Sequence, residues 1–303
     1  MTSIPIVVGL GEILWDLLPS GRQLGGAPAN FAYCSHLLGS RATVASRIGN
    51  EQLGKEICER LCQTGIGRDF LQTDSEHPTG TVKVSLDSSG QPSYEIVEGV
   101  AWDFMEWSPE WQSVASSADA VCFGSLAQRS ARSRNTIYQF LDATREGALR
   151  VFDVNLRQNF YSRERIERSL KRANIVKLNH DEVLILRKLL SIRDDAEDDA
   201  AFCQELIHKF ELRLACVTYG AGGSLIRDQA NADRHPGFKV SIKDTVGSGD
   251  AFTAGLVYGL LSGQSLGEIN DLSNRMGAWV ASSSGAMPPK PDGGLRMALR
   301  SVA

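Results

Sequence analysis

Short apolar runs recur along this chain, each followed by a stretch of helical periodicity. Ile4–Leu10, Ala42–Ile48, Ala120–Phe123, Leu149–Val154, Ile175–Leu178 and Leu212–Thr218 are brief and largely apolar, the pattern of strands buried on both faces. Between strands, Phe31, Cys34 and Leu38 in Pro28–Leu38 fall on one helical stripe, as do Leu53, Ile57 and Leu61 in Glu51–Thr64. Gly39 and Gly65 follow these two stretches as stop signals. Strand and helix in alternation restrict the chain to a mostly parallel sheet covered by helices on both faces, an α/β fold in three layers. A length of 303 residues allows one large domain or two ordinary ones; with no low-complexity linker along the chain, it is read as a single domain over 1–303.

One stretch departs from this period. Thr79–Asp87 alternates every second residue, Ser88–Gln91 reads as a turn, and Ser93–Val97 alternates again. The pattern predicts a hairpin inserted in the α/β chain. Both strands are half polar, so one face meets water or a ligand. Two readings stand side by side. One is a small β lid over a site, contributed mainly by 79–102 with the segment 12–24; the other is an edge hairpin without a role. Val82, Val84 and Ile96 would allow two lids to pair in a homodimer if the lid's outer face were apolar. The acidic stretch Asp194–Asp199 reads as a solvated loop and helix start.

Charge and cysteine usage narrow the class. Lys and Arg number 32 and Asp and Glu 36, a net charge of −4, so there is no basic excess to attract nucleic acid. No apolar run approaches the ~18–20 residues that span a bilayer, and no membrane partner is expected. Ile4–Leu10 is too short for a signal peptide. The six cysteines mostly sit in apolar runs and read as buried thiols of a cytoplasmic protein. Cys58 and Cys62 have no His at zinc-site spacing. Gly49 to Lys55 matches a phosphate loop in spacing, but Glu56 stands where Ser or Thr is needed for Mg²⁺. Gly9 and Gly11 lack the third glycine of a dinucleotide fingerprint.

The segment Asp244-Thr-Val-Gly-Ser-Gly-Asp250 carries the strongest chemical signal. Gly247 and Gly249 flank Ser248 and allow a tight turn into a helix of small and apolar residues. Exposed N–H groups at such a helix start bind anions, and Asp250 in its first turn is a base beside them. Gly25-Gly26-Ala-Pro-Ala-Asn30 is a second glycine turn into a helix, read either as a ligand site with Asn30 able to donate to and accept from hydroxyls or as a plain turn with an incidental Asn. Asp16 is a candidate hydroxyl acceptor from the same end of the sheet. Asp153–Arg157, Asn179–Glu182 and Thr218–Gly223 follow further strands, where open α/β sheets bind ligands.

Together these motifs resemble the PfkB, or ribokinase-like, carbohydrate kinases, and within them the fructokinase-like branch, over nearly the whole chain. Asp-Thr-x-Gly-Ser-Gly-Asp at 244–250 is similar to the family's C-terminal signature, and Gly-Gly-Ala-Pro-Ala-Asn at 25–30 to its sugar-side motif. The resemblance implies a ribokinase-like fold with a β lid, and ATP-dependent phosphorylation of a small sugar, fructose first; the alternatives are a kinase of another sugar or a nucleoside on the same fold, or a non-catalytic sugar or nucleotide sensor. It implies Asp250 as the base, Gly247, Ser248 and Gly249 as the phosphoryl cradle, and Arg157 near the substrate or the phosphates. Asp16, Gly25, Gly26 and Asn30 would bind sugar hydroxyls. Asn179, Thr218, Gly220, Gly223 and Asn274 would line the nucleotide. Glu182 would support Mg²⁺ through water, and Asp244, Val246 and Gly285 would hold K⁺. Ala27 replaces the Lys of the ribokinase form and Leu14 a sugar-binding Asn, so ribose is less favoured. Pro289 stands where some members use a Ser at the cation site.

Overall fold

The computed structural model describes residues 3–18, 21–86, 92–192 and 198–302. The turn at 88–91, the Val84 side chain and residues 194–197 of the acidic stretch lie outside the described residues. In chain order the strands are β1 (Ile6–Leu10), β2 (Leu14–Leu18), β3 (Gly21–Gly25), β4 (Arg41–Gly49), β5 (Leu71–Asp74), β6 (Gly80–Leu86), β7 (Pro92–Ile96), β8 (Ala120–Phe123), β9 (Leu149–Asp153), β10 (Ile175–Asn179), β11 (Leu214–Thr218), β12 (Ser224–Asp228) and β13 (Ala232–His235). The helices are α1 (Ala27–Leu37), α2 (Gln52–Thr64), α3 (Pro109–Ser117), α4 (Ala131–Asp142), α5 (Arg163–Leu170), α6 (His180–Leu189), α7 (Asp199–Phe210), α8 (Ser248–Leu261), α9 (Leu266–Ala281) and α10 (Leu295–Arg300).

Nine strands form one sheet in the order β13-β12-β11-β10-β9-β8-β1-β4-β5. From β5 to β11 the ladders are parallel, and β12 and β13 close one edge antiparallel. Alternate residues of each strand serve opposite layers. Val8, Val121, Phe152, Val176 and Val217 pack with α3 to α7. Val7, Cys122, Val151, Ile175 and Cys216 pack with α1, α2 and α8 to α10. Burial on both faces explains why these strands read as continuous apolar runs. The six cysteines are free thiols, four of them buried.

The chain leaves β1 towards β4 and returns on its other side at β8. The connections after these strands therefore diverge, and a crevice opens at their carboxyl ends. Some expected boundaries move for local reasons. Leu212 belongs to the turn that ends α7, where its N–H donates to the Ile207 carbonyl, so β11 starts at Leu214. Asp198, one of the two described residues of the acidic stretch, caps α7 by accepting from Ala200 N.

The hairpin strands do form a separate sheet, ordered β3-β2-β6-β7. It is mixed, because β2 and β6 run parallel while the outer pairs are antiparallel. Asp16 pairs with Gln23 and Val82, and Val82 with Ile96, so these residues share one face. Val82 and Ile96 are buried in the core around Val8 and Leu14, so they offer no outward surface for pairing two lids. The other face rests on α2: Trp15 Nε1 donates to the Leu53 carbonyl at 3.0 Å, and Arg22 pairs with Glu56.

Candidate active site

Helix α1 begins in a glycine turn with no capping side chain, its N-cap Gly26 at φ 108°. A methyl on Gly26 would lie 2.5 Å from the Glu12 carbonyl oxygen, so the turn is pressed against the connection after β1 as only glycine permits. Gly25 leaves room for a carboxylate: a methyl there would meet Asp16 Oδ2 at 2.4 Å. One turn into α1, Asn30 is buried. Its Nδ2 donates to Asp250 Oδ2 at 2.8 Å. The Gly25–Asn30 motif and the 244–250 segment thus meet directly, and Asn30 orients the Asp250 carboxylate.

Asp250 is the third residue of α8, whose N-cap Gly247 sits at φ 78° with no capping side chain. The N–H groups of this first turn therefore lack side-chain partners, and the helix dipole favours an anion in front of them. Desolvation and then the Asp153 carboxylate push Asp250 from the ordinary 3.8 up to about 6, against Asn30, Lys177 and Arg157. Burial likewise lifts Asp16 to about 6, opposed by Arg157.

Beneath this turn lies a buried ion pair. Lys177 Nζ donates to both oxygens of Asp153, at 3.1 and 3.0 Å, and Thr253 Oγ1 lies 3.0 Å from Asp153 Oδ2. Burial works against the Lys177 charge, but Asp153, Glu182 and Asp250 outweigh it and hold the ammonium above its usual pKa. A methyl on Gly249 would lie 2.9 Å from Lys177 Nζ, so a fixed cation stands directly behind the first turn of α8. Glu12 is 2% exposed. Burial pushes it up to about 7, with Asp250 adding to the rise.

Four of the five expected nucleotide residues gather beside the same helix start, and Asn179 is not among them. Thr218, Gly220, Gly223, Ser248, Gly249 and Asn274 line one cavity of about 340 Å³. Asn274 Nδ2 is committed to Ser224 Oγ at 2.7 Å and the Asn270 carbonyl at 2.8 Å, so it also ties α9 to β12. Asn179 and Glu182 form a reciprocal cap at the start of α6. The Glu182 carboxylate accepts from Asn179 N and from Leu156 N, each at 2.8 Å. It therefore clamps the loop that displays Arg157, an exposed side chain whose charge is felt by Asp16, Glu12 and Asp250. The three residues expected at a monovalent cation also converge: Asp244 accepts from Val246 N at 3.0 Å and Gly285 N at 3.2 Å.

Sequence reasoning did not single out Lys177 or Glu12. The available signal was a charged residue embedded in an apolar segment, Val176-Lys-Leu178 and Leu10-Gly-Glu-Ile13.

The profile of the pfkB family carbohydrate kinases matches residues 21–293. A fructokinase of Escherichia coli is 31% identical over 302 residues, covering 93% of this chain and 95% of that protein. Two solved structures superpose over nearly the whole chain. A sugar kinase of Pyrococcus horikoshii in complex with ATP has a TM-score of 0.80 at 27% identity, covering 98% of this chain and 100% of its own. A fructokinase of Vibrio cholerae O395 with fructose, ADP and calcium has a TM-score of 0.80 at 25% identity, covering 99% of each. With its ribokinase-like three-layer fold and this site, the chain belongs to the pfkB family of carbohydrate kinases and is an ATP-dependent sugar kinase.

Proposed function

We propose that the chain transfers the γ-phosphoryl group of ATP to a hydroxymethyl group of fructose, with Asp250 as general base. The observation that carries this reading is the Asn30–Asp250 contact at 2.8 Å, which holds a carboxylate raised to about 6 at the mouth of an uncapped helix start. Such a group is ionised at neutral pH yet basic enough to take a proton. As the sugar oxygen bonds to the γ-phosphorus, its proton passes to Asp250 and the bond to the ADP oxygen breaks. The first turn of α8, with Lys177 behind it, receives the equatorial phosphoryl oxygens. Arg157 balances charge from the open side. Positioning and electrostatics of this kind are what phosphoryl transfer asks of a protein.

Asp16, Gly25, Gly26 and Asn30 form the sugar side, and the β3-β2-β6-β7 sheet is its lid, excluding water as a competing acceptor. The chain is read as one kinase domain with this lid. The residues fit an Mg²⁺ that arrives with the triphosphate: Glu182 is already engaged by two backbone N–H groups, so it and Asn179 support the ion through water rather than cage it. The ion supplies neutralisation of phosphate charge. The corner formed by Asp244, Val246 and Gly285 is the place for K⁺.

Fructose is favoured by the likeness to fructokinases and by Leu14 and Ala27 in place of ribose-type residues. ADP release measured against a panel of hexoses, ribose and nucleosides tests the reading. Fastest turnover on fructose is expected. A better sugar or nucleoside would overturn the substrate assignment, and binding of sugar and ATP without ADP release would overturn the kinase mechanism.

A further inference from the structure

The lid is rooted in the main domain at both ends of its hairpin, and one buried ion pair touches the root after β7 directly and the root at β6 through the Trp102 ring. Arg129, just before α4, donates from Nε and Nη2 to the two carboxylate oxygens of Asp103, each at 2.8 Å. Nη2 also donates to the Val97 carbonyl, directly after β7, at 2.6 Å. Asp103 accepts from the N–H groups of Gly99 and Val100, so the segment leaving the lid is held as a unit. The two side chains are 4% and 6% exposed. The guanidinium stacks 3.9 Å from the Trp102 ring centroid. The Trp102 indole nitrogen in turn lies against the first residue of β6, where a methyl on Gly80 would be 2.2 Å away.

The same guanidinium reaches the phosphate side. It stands 5.0 Å from the Phe160 ring centroid, and Phe160 N donates to the Arg157 carbonyl at 3.1 Å. Phe160 thereby closes the turn that displays Arg157. That turn is strained, with Asn155 at φ 42° and Gln158 at φ 48°. Backbone of this kind persists only where its surroundings over-determine it, and the Phe160 ring against Arg129 is one such constraint. A buried ion pair is weak evidence for stability and better explained by the geometry it enforces.

We infer that Arg129 is a positioning residue that seats the lid root and the Arg157 turn together, so that the sheet over the sugar and the cation facing the phosphates take their places as one unit. The inference rests on the roles given to the lid and Arg157 in the proposed function.

The test is a mutant cycle in the purified kinase, with ATP and the sugar turned over fastest in the panel. Arg129→Lys keeps the charge but loses the planar fork. Phe160→Leu leaves the clamp intact and removes the ring contact. Arg157→Gln removes the displayed cation. Phe160→Leu is expected to lower kcat about tenfold with sugar KM unchanged, within the range for residues of one network. Arg129→Lys should lower kcat and raise sugar KM. In the Arg157→Gln background neither should lower kcat by more than about twofold further, the sign of a shared path. Additive effects, or parent kcat in Phe160→Leu, would overturn the inference. The paired variant Arg129→Gln with Asp103→Asn removes both buried charges, and thermal unfolding is followed alongside. A lower Tm with unchanged kcat and KM would mark a purely structural clamp and also overturn it. Parent turnover in Arg157→Gln is a separate failure, of the Arg157 assignment itself. Loss there with additive partners would sink the coupling alone.

Discussion

Replacing Asp250 by Asn separates what this residue does for the reaction from what it costs the fold. The substitution is close to isosteric and Asn is tolerated near a helix start, so α8 should form as before. Turnover should fall by ~10²–10⁴-fold, the usual contribution of a general base. Stability should move the other way. At neutral pH the parent holds an ionised carboxylate whose pKa is raised from 3.8 to about 6, chiefly by desolvation and next by Asp153. A shift of two units corresponds to about 3 kcal/mol, reduced to about 1–2 kcal/mol because Asp250 keeps some solvent contact. Removing that charge, less the strain of presenting an amide to the Asn30 donor, predicts Tm raised by about 2–4 °C. The assay is steady-state ADP release at saturating ATP and sugar, with calorimetric unfolding at pH 7.5 on the same preparation. Turnover above about a tenth of the parent would remove Asp250 as the base. A Tm several degrees lower would show that the electrostatic reasoning has the wrong sign.

The other raised carboxylates predict a pH dependence of stability. Glu12, Asp16 and Asp250 titrate higher in the fold, near 7, 6 and 6, so the native state binds more protons than the unfolded chain between pH ~4 and ~7. Stability should fall as pH rises through that window. Glu12→Gln should flatten the upper part of the curve, and an unchanged slope would count against a buried, protonatable Glu12. Glu182→Gln should raise the Mg²⁺ concentration for half-maximal activity, because an amide cannot accept from both Asn179 N and Leu156 N and support the ion as well; an unaltered Mg²⁺ titration would refute this. Gly25→Ala displaces the Asp16 carboxylate rather than backbone, so sugar KM should rise at least about tenfold, the scale of a lost charged hydrogen bond, with KM for ATP unaffected. Equal changes in both constants would mean the glycine serves the fold generally.

The central strands were legible because burial on both faces removes polar residues from them, as in Ala120–Phe123. The hairpin was legible for the opposite reason, a one-sided sheet alternating every second residue. β5 and β13 escaped notice: Leu-Gln-Thr-Asp and Ala-Asp-Arg-His are short and polar, and edge position rather than composition makes them strands. Helix α8 shows no stripe because it is packed on several sides, with Gly255 in close contact with Ser273 of α9. In the site, glycine turns announced themselves by spacing, and so did Asp250 and Asn30. Lys177 and Glu12 did not, since a single charge inside an apolar run gains meaning only when three-dimensional neighbours reveal its partner.

The contact between Asn30 and Asp250 joins residues 220 positions apart. The proposed base and the side chain that orients it are thus made at opposite ends of synthesis. A nascent chain that has emerged as far as β11 carries the sugar-side turn, yet it has neither α8 nor the base. On the proposed mechanism it should not turn over ATP until α8 has been made. The same separation makes this one of the longest loops the folding chain must close, and non-local closures are slow. Catalytic competence should therefore be the last property to appear on refolding, after the parallel sheet has recovered its circular dichroism, and the first to disappear when the C-terminal helices are loosened.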